Sequence, residues 1–356
     1  MHESLGLPIG VAGTLMMVGT LLSGASSMCS GPIIARYRTG PVVLVSCVMT
    51  GSALMIIAHA QNLVWLIVAA APLGFGAGAV DAGLNGYVAR HYSGRHMNWL
   101  HACWGIGATG GPLIITHALG LASGWRGGYF AIASIQLGLA LVFLLTLRLW
   151  DTVPERAFGA THTAAGGRVP ALRANSEAGW ISASLFTFYV AVETTTGLWA
   201  GSILAIGRGM TVAEAGLCTS AYYASITIGR ILVGIVVDRW GNRRLVTFGV
   251  LLSIVGALAF TQADSPLAAG VSLVLVGLGF APVYPGLMHE VPRRFAPEAV
   301  QTVIGRQSAA AYVGAASLPA LGGWIAESAS LNAIVWVVIG GTLVMLAGIR
   351  RLDRIS

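Results

Sequence analysis

A carboxylic acid lies near the middle of an apolar run, where a charge is least favourable. Asp81 stands inside the apolar stretch 63–88, and Asn85 follows one helical turn later. An acid at the centre of a membrane helix costs about 2.5–3.5 kcal/mol, so it faces the interior of a helix bundle. Residues four apart share a helix face. The pair therefore predicts a proton site beside a solute-binding amide. The alternative is a structural acid bonded to a neighbouring helix.

Two further ionisable side chains stand in apolar runs, each close to an aromatic residue. His101 precedes Trp104 by three residues, and Tyr189 precedes Glu193 by four. A histidine exchanges protons near neutral pH, and a carboxylate accepts hydrogen bonds from hydroxyl groups. His101 and Glu193 are therefore candidates for proton coupling, with Trp104 as an aromatic face for a solute. The alternatives are an interhelical hydrogen bond, a paired cation for Glu193, and packing for Trp104.

Other polar residues in the apolar runs are candidates for lining the same cavity. They are Tyr222, Tyr223, Tyr284 and Gln307, beside Asn85, Trp104 and Tyr189. A second group could form a salt-bridge latch that favours one conformation over another. Its members are Arg36, Arg230, Asp238, Arg239 and Arg243.

The glycine-rich segment Gly74-Phe-Gly-Ala-Gly does not predict a phosphate-binding loop. It lacks the following Lys and Ser/Thr and lies inside an apolar run. Small residues in such a place favour close packing of membrane helices. The residue spacing predicts no metal site, no catalytic residue and no cofactor.

The composition determines which elements must position these residues. Of the 356 residues, 56% are hydrophobic and 9% are charged, against roughly 25% charged in a soluble domain. Lipid cannot satisfy backbone N–H and C=O groups, so apolar runs of about 20 residues must be helices. We predict an all-α membrane protein with eleven transmembrane helices. The predicted spans are 8–28, 41–59, 63–88, 99–121, 127–149, 179–204, 213–237, 245–262, 266–289, 302–326 and 331–349.

The arginines predict the orientation in the membrane. All 20 basic residues are arginine. With a cytoplasmic C-terminus, 16 of them fall in cytoplasmic segments, two in outer segments and two in spans, as the positive-inside rule requires. The net charge of +7 is then a topology signal, and no nucleic-acid partner is predicted. The polar segment 150–177 is predicted to be a cytoplasmic linker between an N-terminal bundle at 1–149 and a C-terminal bundle at 178–356.

The two halves of the chain repeat each other at a fixed offset. Gly31 to Arg36 matches Gly234 to Arg239, and Gly74 with Asp81 matches Gly277 with Tyr284, all 203 residues apart. Gly107-Ala108 and Pro112 match Gly314-Ala315 and Pro319 at an offset of 207. A constant register across separate spans indicates duplication, which in many secondary transporters produces two bundles that rock about a central site.

The repeat also predicts a helix that the chain lacks. The second half has six predicted spans and the first half has five, so the counterpart of the first span of the second half is missing. We expect an apolar helix of about 20 residues to be encoded upstream of Met1. We also expect a gap in the first bundle.

The segment Asp238-Arg-Trp-Gly-Asn-Arg-Arg244, preceded by Gly229-Arg230 and Gly234, resembles a loop of the major facilitator superfamily. In the first half the same loop is degenerate, with Ala35 where Asp is usual. Nearly the whole chain is also similar to the fucose permease family of sugar:proton symporters. The segments concerned are Gly74 to Asn85, Met97 to Gly105, Phe188 to Glu193 followed by Trp199, and Gly279 to Pro285.

This resemblance implies a fold of twelve helices in two pseudo-symmetric bundles, alternating access, and proton-coupled uptake of a sugar. The fourth-helix acid of the family corresponds to Asp81, and the polar position of the fifth helix to His101. Trp199 on the seventh helix joins the expected solute-binding residues. A second family acid lies in the first helix, which this sequence lacks.

Three functions remain open from the sequence. The first is a proton-driven importer of a sugar or similar polyol. The second is a proton-drug antiporter, which would have a more apolar, aromatic cavity and fewer central acids. The third is a truncated membrane protein without transport. The expected partners are a small-molecule solute, protons and membrane lipid, with a monomer in the bacterial plasma (inner) membrane. Enzyme activity has no support.

Overall fold

The computed structural model describes residues 2–5, 10–154 and 172–356, and the described residues outside short turns are helical. The first half contains α1 to α6: His2–Leu5, Gly10–Tyr37, Thr39–Ala58, Leu63–His91, Gly94–Leu119 and Gly124–Leu145. The second half contains α7 to α14: Glu177–Ser202, Val212–Trp240, Asn242–Thr261, Pro266–Phe280, Val283–His289, Val291–Arg294, Pro297–Ser328 and Leu331–Ile355. Most of the predicted linker at 150–177 lies outside the described residues.

The predicted spans correspond to helices in every case, with differences at their ends. The helix predicted at 8–28 continues to Tyr37, and the helix predicted at 331–349 continues to Ile355. Hydropathy reports only the apolar part, whereas the helical backbone satisfies its own hydrogen bonds as it leaves the bilayer. The span predicted at 266–289 is divided into α10 and α11 by a turn at Ala281-Pro282, because proline removes a backbone donor and breaks the helix.

Ten helices in the described part of the chain are long and apolar enough to cross a membrane. The helix α5 is not among these ten. Three of its 26 residues are histidines and five are glycines. It packs against α6 and α8. Its crossing of the membrane therefore stays a prediction that its packing supports.

The helices form two bundles whose internal packing repeats. In the first bundle α4 packs against α2 and α3, and in the second α10 packs against α8 and α9. A Cβ at Gly74 would lie 2.8 Å from the Gly19 carbonyl oxygen, and a Cβ at Gly277 would lie 2.6 Å from the Tyr222 carbonyl oxygen. Both pairs are related by the offset of 203. Only glycine allows these helix backbones so close together, and the predicted pseudo-symmetry is confirmed.

Two seams join the bundles, and they are also related by the repeat. The helix α2 packs against α13, and its counterpart α8 packs against α5. At the arginine-rich end, His289 Nε2 lies 3.0 Å from the Tyr92 carbonyl oxygen, and Gln301 Nε2 donates to the Ala82 carbonyl oxygen at 2.9 Å. Towards the other end of α5, no described atom lies within 4 Å of a Cβ placed at Gly110. The bundles are therefore closed at the arginine-rich end.

Candidate solute and proton site between the two bundles

A continuous hydrogen-bonded chain connects the central acid of α4 to the histidine of α5. Asn85 Nδ2 donates to Asp81 Oδ1 at 2.9 Å, as expected for residues one helical turn apart. Asn85 Oδ1 lies 3.0 Å from His101 Nε2. Since the amide oxygen carries no proton, His101 Nε2 is the donor in this contact. The chain Asp81–Asn85–His101 therefore lies within the first bundle, and Asn85 at its centre is only 1% exposed.

The second bundle covers this chain with an aromatic side chain. Tyr284, the repeat counterpart of Asp81, packs on His101 with their ring centroids 4.7 Å apart. The Tyr284 ring also packs edge-on against Phe186 and Tyr189, with ring centroids 4.6 Å and 5.8 Å apart. Tyr284 also interacts electrostatically with the Asp81 carboxylate. The acid of one half is therefore close enough to the other half to interact electrostatically with its interior.

A second polar centre lies in the C-terminal bundle, where α7 and α8 each contribute a charge. Arg230 Nη2 lies 3.4 Å from both Glu193 Oε1 and the Tyr189 hydroxyl oxygen. Arg230 Nη1 donates across the bundle interface to the His101 carbonyl oxygen at 3.2 Å. Its guanidinium carbon lies 5.9 Å from the centre of the Trp104 ring. Arg230 therefore connects the second polar centre to the helix that carries His101.

The remaining predicted solute-binding residues form contacts inside the second bundle. The Tyr222 hydroxyl donates to the Glu193 carbonyl oxygen at 2.8 Å, and Gln307 Nε2 donates to Ser182 Oγ at 2.7 Å. Trp199 Nε1 donates to the Pro319 carbonyl oxygen at 3.0 Å. The structure brings Asp81, Asn85, His101, Glu193, Trp104, Tyr189 and Tyr284 together, whereas Trp199 fixes α7 against α13.

The predicted latch residues occupy two different places. Asp238 accepts from Ser93 Oγ at 3.0 Å and lies 3.8 Å from Arg95 Nε, so it joins the two bundles at the arginine-rich end. Arg243 Nε lies 3.2 Å from Glu290 Oε2, within the second bundle. Arg230 does not lie with these residues, because it pairs with Glu193 in the bundle interior.

The other two predicted latch residues lie in the last turns of repeat-related helices. Arg36 lies one residue before the end of α2 and Arg239 one residue before the end of α8, and both are exposed. The guanidinium carbon of Arg36 lies 5.5 Å from the centre of the Tyr37 ring. Their matching positions agree with the repeat.

Sequence reasoning did not identify a buried polar cluster that surrounds Glu290. Asn242 Nδ2 donates to Glu290 Oε1 at 3.1 Å and lies 3.0 Å from His289 Nδ1. Arg293 lies 2.6 Å from the same carboxylate. Burial raises the pKa of Glu290, but Arg293, Asn242 and the nearby arginines outweigh it and hold that pKa below its usual range. The available signal was the pair His289-Glu290 at the end of the apolar span 266–289.

Comparisons with known proteins agree with this architecture. The model of the family described as Major Facilitator Superfamily matches residues 1–207 and 181–354. The chain is 24% identical over 343 residues to an uncharacterized MFS-type transporter of Yersinia pestis, covering 94% of this chain and 78% of that protein. It is also 24% identical over 301 residues to the glucose/mannose transporter GlcP of Bacillus subtilis (strain 168), covering 82% of this chain and 73% of that protein.

Among solved structures, the chain is similar to the major facilitator transporter FucP in its outward conformation. The TM-score is 0.74 at 14% sequence identity, and the match covers 98% of this chain and 92% of that chain. The TM-score shows a shared fold of two helical bundles.

Proposed function

We propose that this chain, which belongs to the major facilitator superfamily of membrane transporters, couples the uptake of a sugar or similar small polar solute to protons. Its family function is transport and not enzymatic catalysis. The glucose/mannose transporter among its relatives supports a sugar-like solute. We further propose a cytoplasmic C-terminus, a plasma-membrane location, and bundles at 1–149 and 178–356 joined by the segment 150–177.

The observation that carries the proposal is the contact between two polar centres across the bundle interface. The chain Asp81–Asn85–His101 belongs to the first bundle, and the pair Glu193–Arg230 belongs to the second. The bond from Arg230 to the His101 carbonyl oxygen joins them. A solute held between the bundles would touch both centres. Binding of the solute and rearrangement of the bundles would therefore act on the same few side chains.

Asp81 is the proposed proton carrier. A carboxylate surrounded by lipid-facing helices is stabilised when it gains a proton or a cationic partner. The hydrogen-bond donor to Asp81 is a neutral amide, so protonation is the available route to a neutral site. The proton would load while the site is open to the outside. It would leave after the closed arginine-rich end has opened, as alternating access requires.

The opening of that end is proposed to require separation of the latch at Asp238. Its contacts with Ser93 and Arg95 connect α8 to the start of α5. Salt bridges that form in only one conformation bias the equilibrium between the two states. Arg36, Arg239 and Arg243 lie on the same surface and are proposed to assist this latch.

The decisive experiment compares Asp81→Asn with Asp264→Asn in proteoliposomes. Asparagine keeps the size and hydrogen bonding of Asp81 but cannot titrate, so solute accumulation driven by a pH gradient should be abolished. Exchange of solute across the membrane moves no net proton and should persist in part. Asp264 is exposed, and its replacement should leave both activities unchanged. Unchanged gradient-driven accumulation in Asp81→Asn would make Asp81 structural.

A further inference from the structure

We propose that the transported solute is a hydroxylated monocarboxylate, such as a sugar acid, whose carboxylate binds Arg230 and whose ring lies against Trp104. This inference rests on the proposed function and specifies its solute. It is motivated by the bonding of a single buried side chain, Arg230, which has fewer and longer hydrogen bonds than a buried guanidinium requires.

The Arg230 guanidinium is buried but poorly paired. Its side chain is 4% exposed, yet its only ion-pair contact in the described residues is at 3.4 Å from Glu193. The Nε–H group is buried and has no acceptor among the described residues. Buried charged donors normally have short, charge-assisted hydrogen bonds of about 2.7–2.9 Å. The protein therefore leaves part of the hydrogen-bonding capacity of Arg230 for another molecule.

The geometry of that remaining capacity selects a carboxylate. The Nε–H and an Nη–H of arginine form a planar fork that matches the two oxygens of a carboxylate. A neutral sugar hydroxyl offers one oxygen and satisfies one arm of the fork. The Nη2 arm of the fork in Arg230 already contacts Glu193 and Tyr189, but only at 3.4 Å. A carboxylate would replace these long contacts, fill both arms and balance the guanidinium charge.

Trp104 provides the neighbouring surface for the rest of the solute. Its side chain is 60% exposed although it lies 5.9 Å from the guanidinium carbon of Arg230. One turn further along α5, nothing described lies within 4 Å of a Cβ at Gly107. The space beside Trp104 is therefore open towards the side of the bundles that is not closed. A tryptophan face suits the apolar face of a sugar ring.

The charge balance of the site connects this solute to Asp81. Glu193 and Arg230 carry opposite charges, so a bound carboxylate adds one negative charge to the site. One proton on Asp81 accompanies that anion, and their joint movement transfers no net charge across the membrane. A neutral sugar moving with one proton would transfer one positive charge. The two solute classes therefore respond differently to the membrane potential.

The test uses the full chain in proteoliposomes with two labelled probes that differ only at carbon six, D-glucuronate and D-glucose. With the lumen alkaline, glucuronate should accumulate at least tenfold more than glucose. An inside-negative potassium diffusion potential should not increase glucuronate uptake. Accumulation of glucose equal to or above that of glucuronate would overturn the inference and leave proton-coupled sugar transport intact. Failure of both probes to accumulate would contradict both proposals.

Two variants test the residues by calorimetric titration of each probe. Arg230→Gln should weaken glucuronate binding at least tenfold. Because this variant leaves Glu193 unpaired and is expected to be less stable, Glu193→Gln provides the second arm. Removing the competing carboxylate should strengthen glucuronate binding several-fold. Unchanged or weaker glucuronate binding in Glu193→Gln, or a loss of glucose binding instead, would contradict a carboxylate site at Arg230.

Discussion

The two halves of the molecule each place an acid near the bundle interface, but they stabilise it in different ways. Asp81 in the first half accepts from the amide of Asn85, a neutral group. Glu193 in the second half faces the guanidinium of Arg230. A buried charge is tolerated when it is paired or neutralised. The difference supports the proposal that the two acids have different tasks, because a carboxylate without a fixed cation gains and loses a proton at lower cost.

The repeat places a different side chain at the position in the second half that corresponds to Asp81. The position that holds Asp81 in the first half holds Tyr284 in the second, at the same offset that relates Gly74 to Gly277. Tyr284 packs on His101, so the counterpart of the acid has become part of the cover over the chain of Asp81. The backbone packing was retained in both halves, whereas the central side chains diverged.

The largest expected effect follows from breaking the ion pair of the second half. Arg230→Met should destabilise the protein by about 3–5 kcal/mol, because it leaves the Glu193 carboxylate buried without its cation. The double variant Arg230→Met with Glu193→Met should recover most of that loss. Thermal unfolding in detergent measures both. If the double variant is no more stable than Arg230→Met alone, the two side chains are not coupled, and the contrast between the halves fails.

An intermediate effect is expected from the neutral chain of the first half. His101→Phe removes the donor to Asn85, and gradient-driven uptake should fall by about 10- to 100-fold, because a buried acceptor left without its hydrogen bond costs roughly 1–3 kcal/mol. His101→Gln supplies an amide N–H in its place and should retain most of the uptake. Initial uptake rates at a fixed pH gradient measure the difference. Equal loss in both variants would instead make the imidazole itself a proton carrier.

Much of the scaffold could be predicted from the sequence, because hydropathy and the repeat are local or regularly spaced signals. The relation of Gly74 to Gly277 and the pairing of Asp81 with Asn85 are both fixed by spacing along the chain. The position of Arg230 in the structure is not fixed by such spacing. Arg230 stands eight residues before Asp238, which is about 12 Å along a helix, so the two lie at different heights along α8. A sequence motif that contains both does not reveal this separation.

The contacts that join the bundles were also beyond sequence reasoning. His289 meets the Tyr92 carbonyl oxygen across 197 positions of the chain. Gln301 donates to the Ala82 carbonyl oxygen across 219 positions. Nothing periodic connects such pairs, since they depend on how two independently packed bundles meet. Only the residue types were available, and a His-Glu pair at the end of an apolar span was the sole indication.

The smallest expected effect concerns Glu290, a buried acid at the arginine-rich end that is surrounded by several cations. Its pKa lies below the ordinary value of 4.5, since Arg293, Asn242 and neighbouring arginines outweigh the effect of burial. A folded-state pKa below the unfolded one stabilises the protein at pH values above the unfolded pKa, and this stabilisation is lost as the pH falls through the folded value. The contribution of the Glu290 charge to the stability of the fold should therefore be constant between about pH 6 and pH 8. It should disappear in the acid range below about pH 4.5.

Thermal unfolding of the wild type, Glu290→Gln and Glu298→Gln between pH 3.5 and pH 7.5 tests this expectation. Other carboxylates also titrate in that range, so the informative quantity is the difference between each variant and the wild type. Glu298 is exposed, and its variant should follow the wild type at every pH. Glu290→Gln should be less stable than the wild type near neutral pH, and the gap should narrow on acidification. A gap that stays constant would mean that Glu290 acts through packing and not through its charge. The comparison of Asp81, Glu193 and Glu290 by the cations beside them would then not extend to Glu290.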